Sequence, residues 1–516
     1  MSTLDLLFKN ARVLDGTGNP WFRADVGVQG DCIATIGRLD DARAATVIDV
    51  AEKFLCPGLI DVHIHTDLNL LTDPQHEASL RQGVTTHILG QDGISFAPAS
   101  PDTLAYMRAY FAGINTIPNI DWNWSSVREF LARFDQRVAV NVAYLVPHGN
   151  LRMEVLGTRP DAPTRDELSQ MQELARQAMR EGAIGISTGL DYIPCAYAEM
   201  DELVALAQAV APLGGIFVTH TRMNKLGVIQ ATKEAIAIGR AAKIPTHISH
   251  FNGRADELLP LIDAARAEGV DLTYDSYCYL ASCTIVAMHA LPDWVQEGGQ
   301  GATMARLREP GVREKLREWI ESPARRVDKL QLTYVPGYRE EEGLRIPDAA
   351  RRVGMTVTDY VCARLVDTQM QMCAMAFQEG LRTEADMARM MQHPAHMGGS
   401  DGIFSGSRPH PRGYGCFARY LAYHTCERGD WTWGEAIRHL SGHPARRFGL
   451  RDRGLIREGM IADIFVFDPE KIKDHATFDD GSRLADGVEY VVVNGKLALR
   501  DGRVTGEYAG RVLGNS

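Results

Sequence analysis

The chain predicts an α/β fold: a (β/α)8 TIM-like barrel, a discontinuous β-sandwich built from both termini, and an inserted helical subdomain before the last barrel strand. Three features lead there. Short apolar runs alternate with amphipathic helical stretches through the middle of the chain, as in a parallel sheet covered on both faces. Both ends show short strands joined by tight turns, the signature of antiparallel pairing. Between about residues 284 and 395 the alternation lapses, a gap too long for a plain connection between two barrel strands.

Residues 1–55 and 447–516 are assigned to the sandwich, and 56–446 to the barrel, with the insertion at about 284–395. Near the N-terminus, Asp5 to Leu14 and Asp25 to Val28 alternate in short bursts. Near the C-terminus, Ala462 to Phe467 reads as a strand, and Val491 to Lys496 ends in an Asn-Gly hairpin signal.

The barrel opens at Pro57-Gly58-Leu59-Ile60-Asp61-Val62-His63-Ile64-His65, an apolar strand running into two histidines two residues apart. On a strand that spacing puts both imidazoles on one face. Further strands are expected at 83–90, 138–147, 182–187, 216–219, 244–249 and 270–274, with the last near 396–401. Thr164-x-x-Glu167 is a capping box. It opens a helix whose Leu168, Met171, Ala175 and Ala178 recur at helical spacing until Gly182. Val228, Ala231, Ala235, Ile238 and Ala242 repeat that spacing in a later unit.

At 516 residues, 45% hydrophobic and 23% charged, the composition is that of a soluble globular protein with a sizeable core. A net charge of −11 without a long basic run argues against a nucleic-acid surface. No stretch is long and apolar enough for a membrane span, and Met1 to Asn10 lacks the regions of a signal peptide, so a cytoplasmic protein is expected. Nine scattered cysteines without a CxxC pair read as reduced thiols rather than a disulfide framework. A homo-oligomer is compatible with this composition.

Reactive groups of such a barrel sit at the C-terminal ends of its strands. Read in order, those ends carry His63 and His65, then Gln91-Asp92, His148, His220, His250 and Asp401. A lone buried histidine is usually a hydrogen-bonded core residue. Histidines converging with carboxylates on one mouth form a metal-site inventory. Asp401 taken singly opens an Asp-Gly turn; its place after the eighth strand is what recruits it. His148 lines the pocket or stays in the core, and Tyr277 and Tyr279 are pocket walls or ligand contacts.

The Pro-Gly-x-Ile-Asp-x-His-x-His segment, the later His220 and His250, Gly399-Ser400-Asp401-Gly402 and Gly459 to Ile464 together resemble the amidohydrolase superfamily. Gly83-Val84-Thr85-Thr86, Gly93 to Pro98, His148 to Arg152, Ser187 to Leu190 and His410-Pro411-Arg412 resemble, more narrowly, N-acyl-D-amino-acid deacylases. The resemblance covers nearly the whole chain. It implies one or two Zn²⁺ ions, His63 and His65 holding one with Asp401 nearby and His220 and His250 holding the other. It also implies a small-molecule amide substrate, with Asp401 moving the proton of the attacking water to the leaving nitrogen.

Two departures stand out. Where such deacylases carry a metal-ligating cysteine this chain has Asp92, a harder oxygen donor. Where they carry a lysine after the second metal histidine it has Asn252. Strand four contains no lysine that could bridge two metals. By the resemblance Arg412 pairs with a substrate carboxylate, and Tyr279 rather than Tyr277 contacts the same group. The expected activity is therefore metal-dependent hydrolysis of a C–N bond outside a peptide chain, with deacylation of N-acyl-D-amino acids first. A cyclic amide, imide or lactam hydrolase is the alternative within hydrolases, and a catalytically silent binding or assembly relative is the alternative outside them.

Overall fold

The computed structural model describes residues 3–514. Eight parallel strands form the barrel: β1 (Leu59–Asp61), β2 (Val84–Leu89), β3 (Asn141–Pro147), β4 (Gly185–Gly189), β5 (Ile216–His220), β6 (Thr246–Ile248), β7 (Leu272–Ser276) and β8 (His396–Gly398). Each pairs with its sequence neighbour from β1 to β7, and β7 pairs with β8. Between β1 and β8 the contact narrows to a parallel bridge, Ile64 with Gly402, so the barrel is nearly closed. Ile60, Ile88, Ala143, Leu145, Val218 and Met397 pack into one buried cluster. Val84, Val142, Tyr144, Val146, Ile186 and Phe217 belong to a second cluster with the helices. Strands apolar on both faces are what a doubly covered parallel sheet requires.

The helix expected after Thr164 spans Arg165–Arg180, and its capping box forms, the Thr164 hydroxyl accepting from the Glu167 N–H. It buries Met171, Ala175 and Ala178, whereas Leu168 stays only partly covered. The later helix spans Val228–Ala242 and buries Ala231, Ala235, Ile238 and Ala242.

Both chain ends contribute to one mixed nine-stranded sheet. Leu4–Val13 pairs with Phe22–Gln29, Ala44–Asp49 and Phe54–Pro57, and Ile464–Phe467 lies antiparallel to Phe54–Pro57. Phe8, Val26, Ile33, Leu55, Ile464 and Val492 form its own core. Asn494 and Gly495 both take positive φ, 48° and 79°, the turn that an Asn-Gly hairpin demands. The chain adds Lys496–Arg500 and Arg503–Val504 to this sheet before leaving it, and Val512–Leu513 pairs in parallel with β3.

The insertion between β7 and β8 is mixed rather than purely helical. Ala281–Ile285, Cys373–Phe377 and Leu330–Tyr334 form a three-stranded antiparallel sheet beside helices that include Gly299–Arg308, Pro310–Ile320 and Val357–Asp367. Among the described residues no helix is long and apolar enough to cross a membrane.

Candidate metal centre

His63 and His65 lie not on a strand but in the bend just past the end of β1. Backbone contacts fix that bend. The Asp401 N–H donates to the His63 carbonyl at 2.6 Å, and the His65 N–H donates to the Gly402 carbonyl at 3.1 Å. Ser400 N–H adds a bond to the buried Asp61 carboxylate at 2.9 Å. Asp61 also receives the His63 N–H at 3.3 Å, and burial pushes its acid up to about 7. The first and last strands thus set the positions of three predicted site residues together.

Asp92 sits at the hub. Its carboxylate oxygens lie 3.5 Å from His63 Nε2, 3.5 Å from His65 Nε2, 3.6 Å from His250 Nε2 and 3.9 Å from His220 Nδ1. His220 and His250 face each other at 2.9 Å, Nδ1 to Nε2. Asp401 Oδ1 is 3.2 Å from His65 Nε2 and 3.8 Å from His63 Nε2. His63, Asp92 and His250 form one cluster able to hold a metal ion, and His63, His65 and Asp401 form another. Asp92 (φ 57°), His250 (φ 33°) and Asp401 (φ 50°) all occupy left-handed backbone, a strain that accumulates at functional sites.

Whether the residues suit a cation can be read from what they lack. Both ring nitrogens of His63 and Oδ1 of Asp92 are buried without a hydrogen-bond partner, a costly state for polar atoms unless something else satisfies them. Imidazole nitrogens and carboxylate oxygens are the donor set of Zn²⁺. Burial opposes charge on Asp92, yet the charge of His63 and the other imidazoles close around it hold its carboxyl well below the ordinary range. Conversely, the Asp92 and Asp275 carboxylates outweigh burial and lift His63 well above its usual value. Such an excess of acid around imidazoles is a field suited to a divalent cation.

Two acids absent from the sequence inventory complete the support. Asp275, within β7, is 3.7 Å from His63 Nδ1, 2.9 Å from His247 Nε2, and accepts the His250 N–H at 2.8 Å. Asp191, two residues past β4, lies 3.3 Å from His220 Nε2, opposite the nitrogen that faces Asp92. Carboxylates on the far nitrogen fix a ligating histidine's tautomer and orientation. Each stands where an apolar run ends, the same signal that singled out Asp92 and Asp401.

A cavity of ≈ 290 Å³ opens onto His220, His250 and Asp401. Asn252 and Tyr277 line it; Tyr279, His148 and Arg412 do not. Tyr279 packs instead against His410 and Phe478, its hydroxyl unpaired. His148 spends both ring nitrogens, on Thr188 Oγ1 at 2.8 Å and Glu202 at 2.7 Å, with Arg152 closing the buried group on Glu202. Arg412 is 0% exposed; it contacts Asp401 Oδ2 at 2.8 Å, donates to the Cys283 carbonyl at 3.0 Å and lies over the Tyr277 ring at 4.7 Å. Its charge, against the cost of burial, keeps Asp401 below the ordinary carboxylate range.

Comparison with known proteins agrees with this geometry. Residues 46–498 match the model of the amidohydrolase family. D-aminoacylase of Alcaligenes xylosoxydans xylosoxydans is 33% identical, covering 99% of this chain and 97% of its own. The crystal structure of N-acyl-D-glutamate deacylase from Bordetella bronchiseptica, complexed with zinc and a phosphonate inhibitor that mimics the reaction's tetrahedral intermediate, superposes with a TM-score of 0.83 at 32% identity, covering 99% of this chain and 100% of that one. A D-aminoacylase structure bearing on a binuclear metal centre, with one-metal activation and second-metal attenuation, gives the same TM-score, identity and coverage.

Proposed function

From the premise that this chain belongs to the amidohydrolase family, we propose that it is a zinc-dependent hydrolase that removes the acyl group from N-acyl-D-amino acids or closely related amides. The observation that carries the reading is the Asp92 hub, buried between two histidine pairs with an oxygen left unpaired. His63, His65 and Asp401 would hold one ion, and His220 and His250 the other, with Asp92 able to serve both. When bound, zinc lowers the pKa of a coordinated water and polarises the scissile carbonyl.

The chain's own residues supply the rest. Asp401, ionised and at the cavity surface, accepts the proton of the attacking water and returns it to the departing nitrogen, which leaves poorly as an anion. Arg412 grips the second oxygen of Asp401 and so positions the carboxylate for that transfer. Asp191 and Asp275 orient His220 and His63.

The test is amine release by the zinc-loaded protein from N-acetyl amino acids of both hands, beside ring opening of hydantoins. Release from the D series is expected. Ring opening without amine release would move the assignment to cyclic amides, and turnover of neither would contradict hydrolysis.

A further inference from the structure

The barrel wall of the cavity offers no free cation to an anionic substrate. Arg412 is fully buried, ion-paired with Asp401 and absent from the cavity lining, with its Nε and Nη1 lacking hydrogen-bond partners. Asn252, where a lysine was expected, donates its amide to the His250 carbonyl at 2.8 Å and accepts from Gln378 at 3.4 Å. Asp191 on the same wall is engaged by His220 and by the Asn224 N–H at 3.1 Å.

Positive charge arrives instead from the insertion. Arg325, Arg326 and Lys329, in the turn before the strand Leu330–Tyr334, line the same cavity. Arg326 is partly committed, donating to the carbonyls of Phe377 and Glu379 at 3.2 and 2.9 Å, and Lys329 lies 3.7 Å from its exposed neighbour Asp328. Arg325 differs. Its guanidinium lies over the Trp319 ring, 3.4 Å from the centroid, and among the described residues its side chain makes no ion pair and no hydrogen bond. Stacking on an indole holds the guanidinium plane while leaving its edge N–H groups free, the arrangement that receives a carboxylate through two parallel bonds.

The geometry points to Arg325 as the residue that binds the substrate's carboxylate, with Arg326 and Lys329 supplying flanking charge and Arg412 confined to Asp401. This rests on the deacylase reading, because it assumes a substrate that bears a carboxylate beside its amide. It makes the insertion a specificity element of the cavity that opens onto His220, His250 and Asp401.

Binding and turnover test it separately. Calorimetric titration of the zinc-loaded full chain with leucine and with leucinamide, each as both enantiomers, needs no hydrolysis. One enantiomer of leucine is expected to bind more tightly than its amide, and Arg325→Met to erase at least about 10-fold of that preference, the scale of a charge-assisted hydrogen bond. In turnover, Arg325→Met should raise KM for an N-acetyl amino acid by a similar factor, with kcat and activity on the matching carboxamide held within a few-fold. Arg412→Met should lower kcat on both. An acid-over-amide preference that survives Arg325→Met, or that collapses only in Arg412→Met, overturns the assignment. Arg325-dependent binding without turnover of any amide would instead leave the carboxylate site standing and remove the deacylase reading.

Discussion

Asp92 holds the position that decides how this centre binds metal, because its two oxygens reach all four histidines. Asp401→Asn should retain zinc by elemental analysis while kcat falls at least about 100-fold, the contribution of a general acid/base group; near-normal turnover would remove Asp401 from the chemistry. Asp275→Asn should weaken zinc affinity about 10- to 100-fold, the usual effect of losing a carboxylate behind a ligand, measured by competition with a chelator. At this scale the sequence was most legible for His63, His65, Asp92, His220, His250 and Asp401, since each falls where an apolar run ends, and the structure brings all of them together. It was least legible for Tyr277 and Tyr279. Their spacing implies one face on a strand, but β7 stops at Ser276 and the chain turns, so Tyr277 reaches the cavity and Tyr279 does not.

Elements succeed or fail as readable units for the same physical reason. The helix Arg165–Arg180 announces itself through a capping box and one apolar stripe. Cys373–Phe377 is a short continuous apolar run, which periodicity cannot separate from buried helix, and Ala281–Ile285 alternates over only 5 residues, so the insertion's sheet was missed. Gly58, before β1, shows how tightly elements meet: a Cβ there would stand 2.2 Å from Thr85 Oγ1 and 2.5 Å from its Cγ2. Gly58→Ala should destabilise by about 1–3 kcal/mol in chemical denaturation, as overpacking does.

The buried group that joins the helix His148–Leu156 to the helix Met200–Val210 gives a pH signature. Burial opposes the charge of His148, but Cys195 and the Glu202 carboxylate lift it to about 9. A histidine raised above its unfolded value of about 6.5 stabilises fully below that pH and loses the contribution as pH climbs through 9. Melting temperature should therefore fall from pH 7 to 10, and His148→Gln should flatten that slope.

For the whole molecule, the question is what registers the terminal sheet against the barrel. Asp463, next to the strand Ile464–Phe467, accepts from Asn141 on β3 at 2.9 Å and from the Asn494 N–H at 2.7 Å, and pairs with Arg453. Asn494 returns a bond to Asn141 at 2.7 Å, closing the ring. Asp463→Ala should cost about 1–3 kcal/mol, since it leaves the buried Asn141 and Asn494 donors unpaired and Arg453 with only the exposed Asp452 as an acidic partner. The layout of barrel and terminal sheet was readable because strand rhythm changes along the chain. This polar joint was not, because Asn141 lies 322 residues from Asp463 and 353 from Asn494, and no local pattern links them. Anomalous diffraction at the zinc edge, from crystals of the zinc-loaded protein, tests whether the strand ends around Asp92 form a zinc centre. One or two peaks are expected about 2.0–2.2 Å from nitrogens of His63, His65, His220 or His250 and from a carboxylate oxygen of Asp92 or Asp401. An occupied protein with its peak elsewhere, or no peak among these side chains, would contradict a zinc centre there.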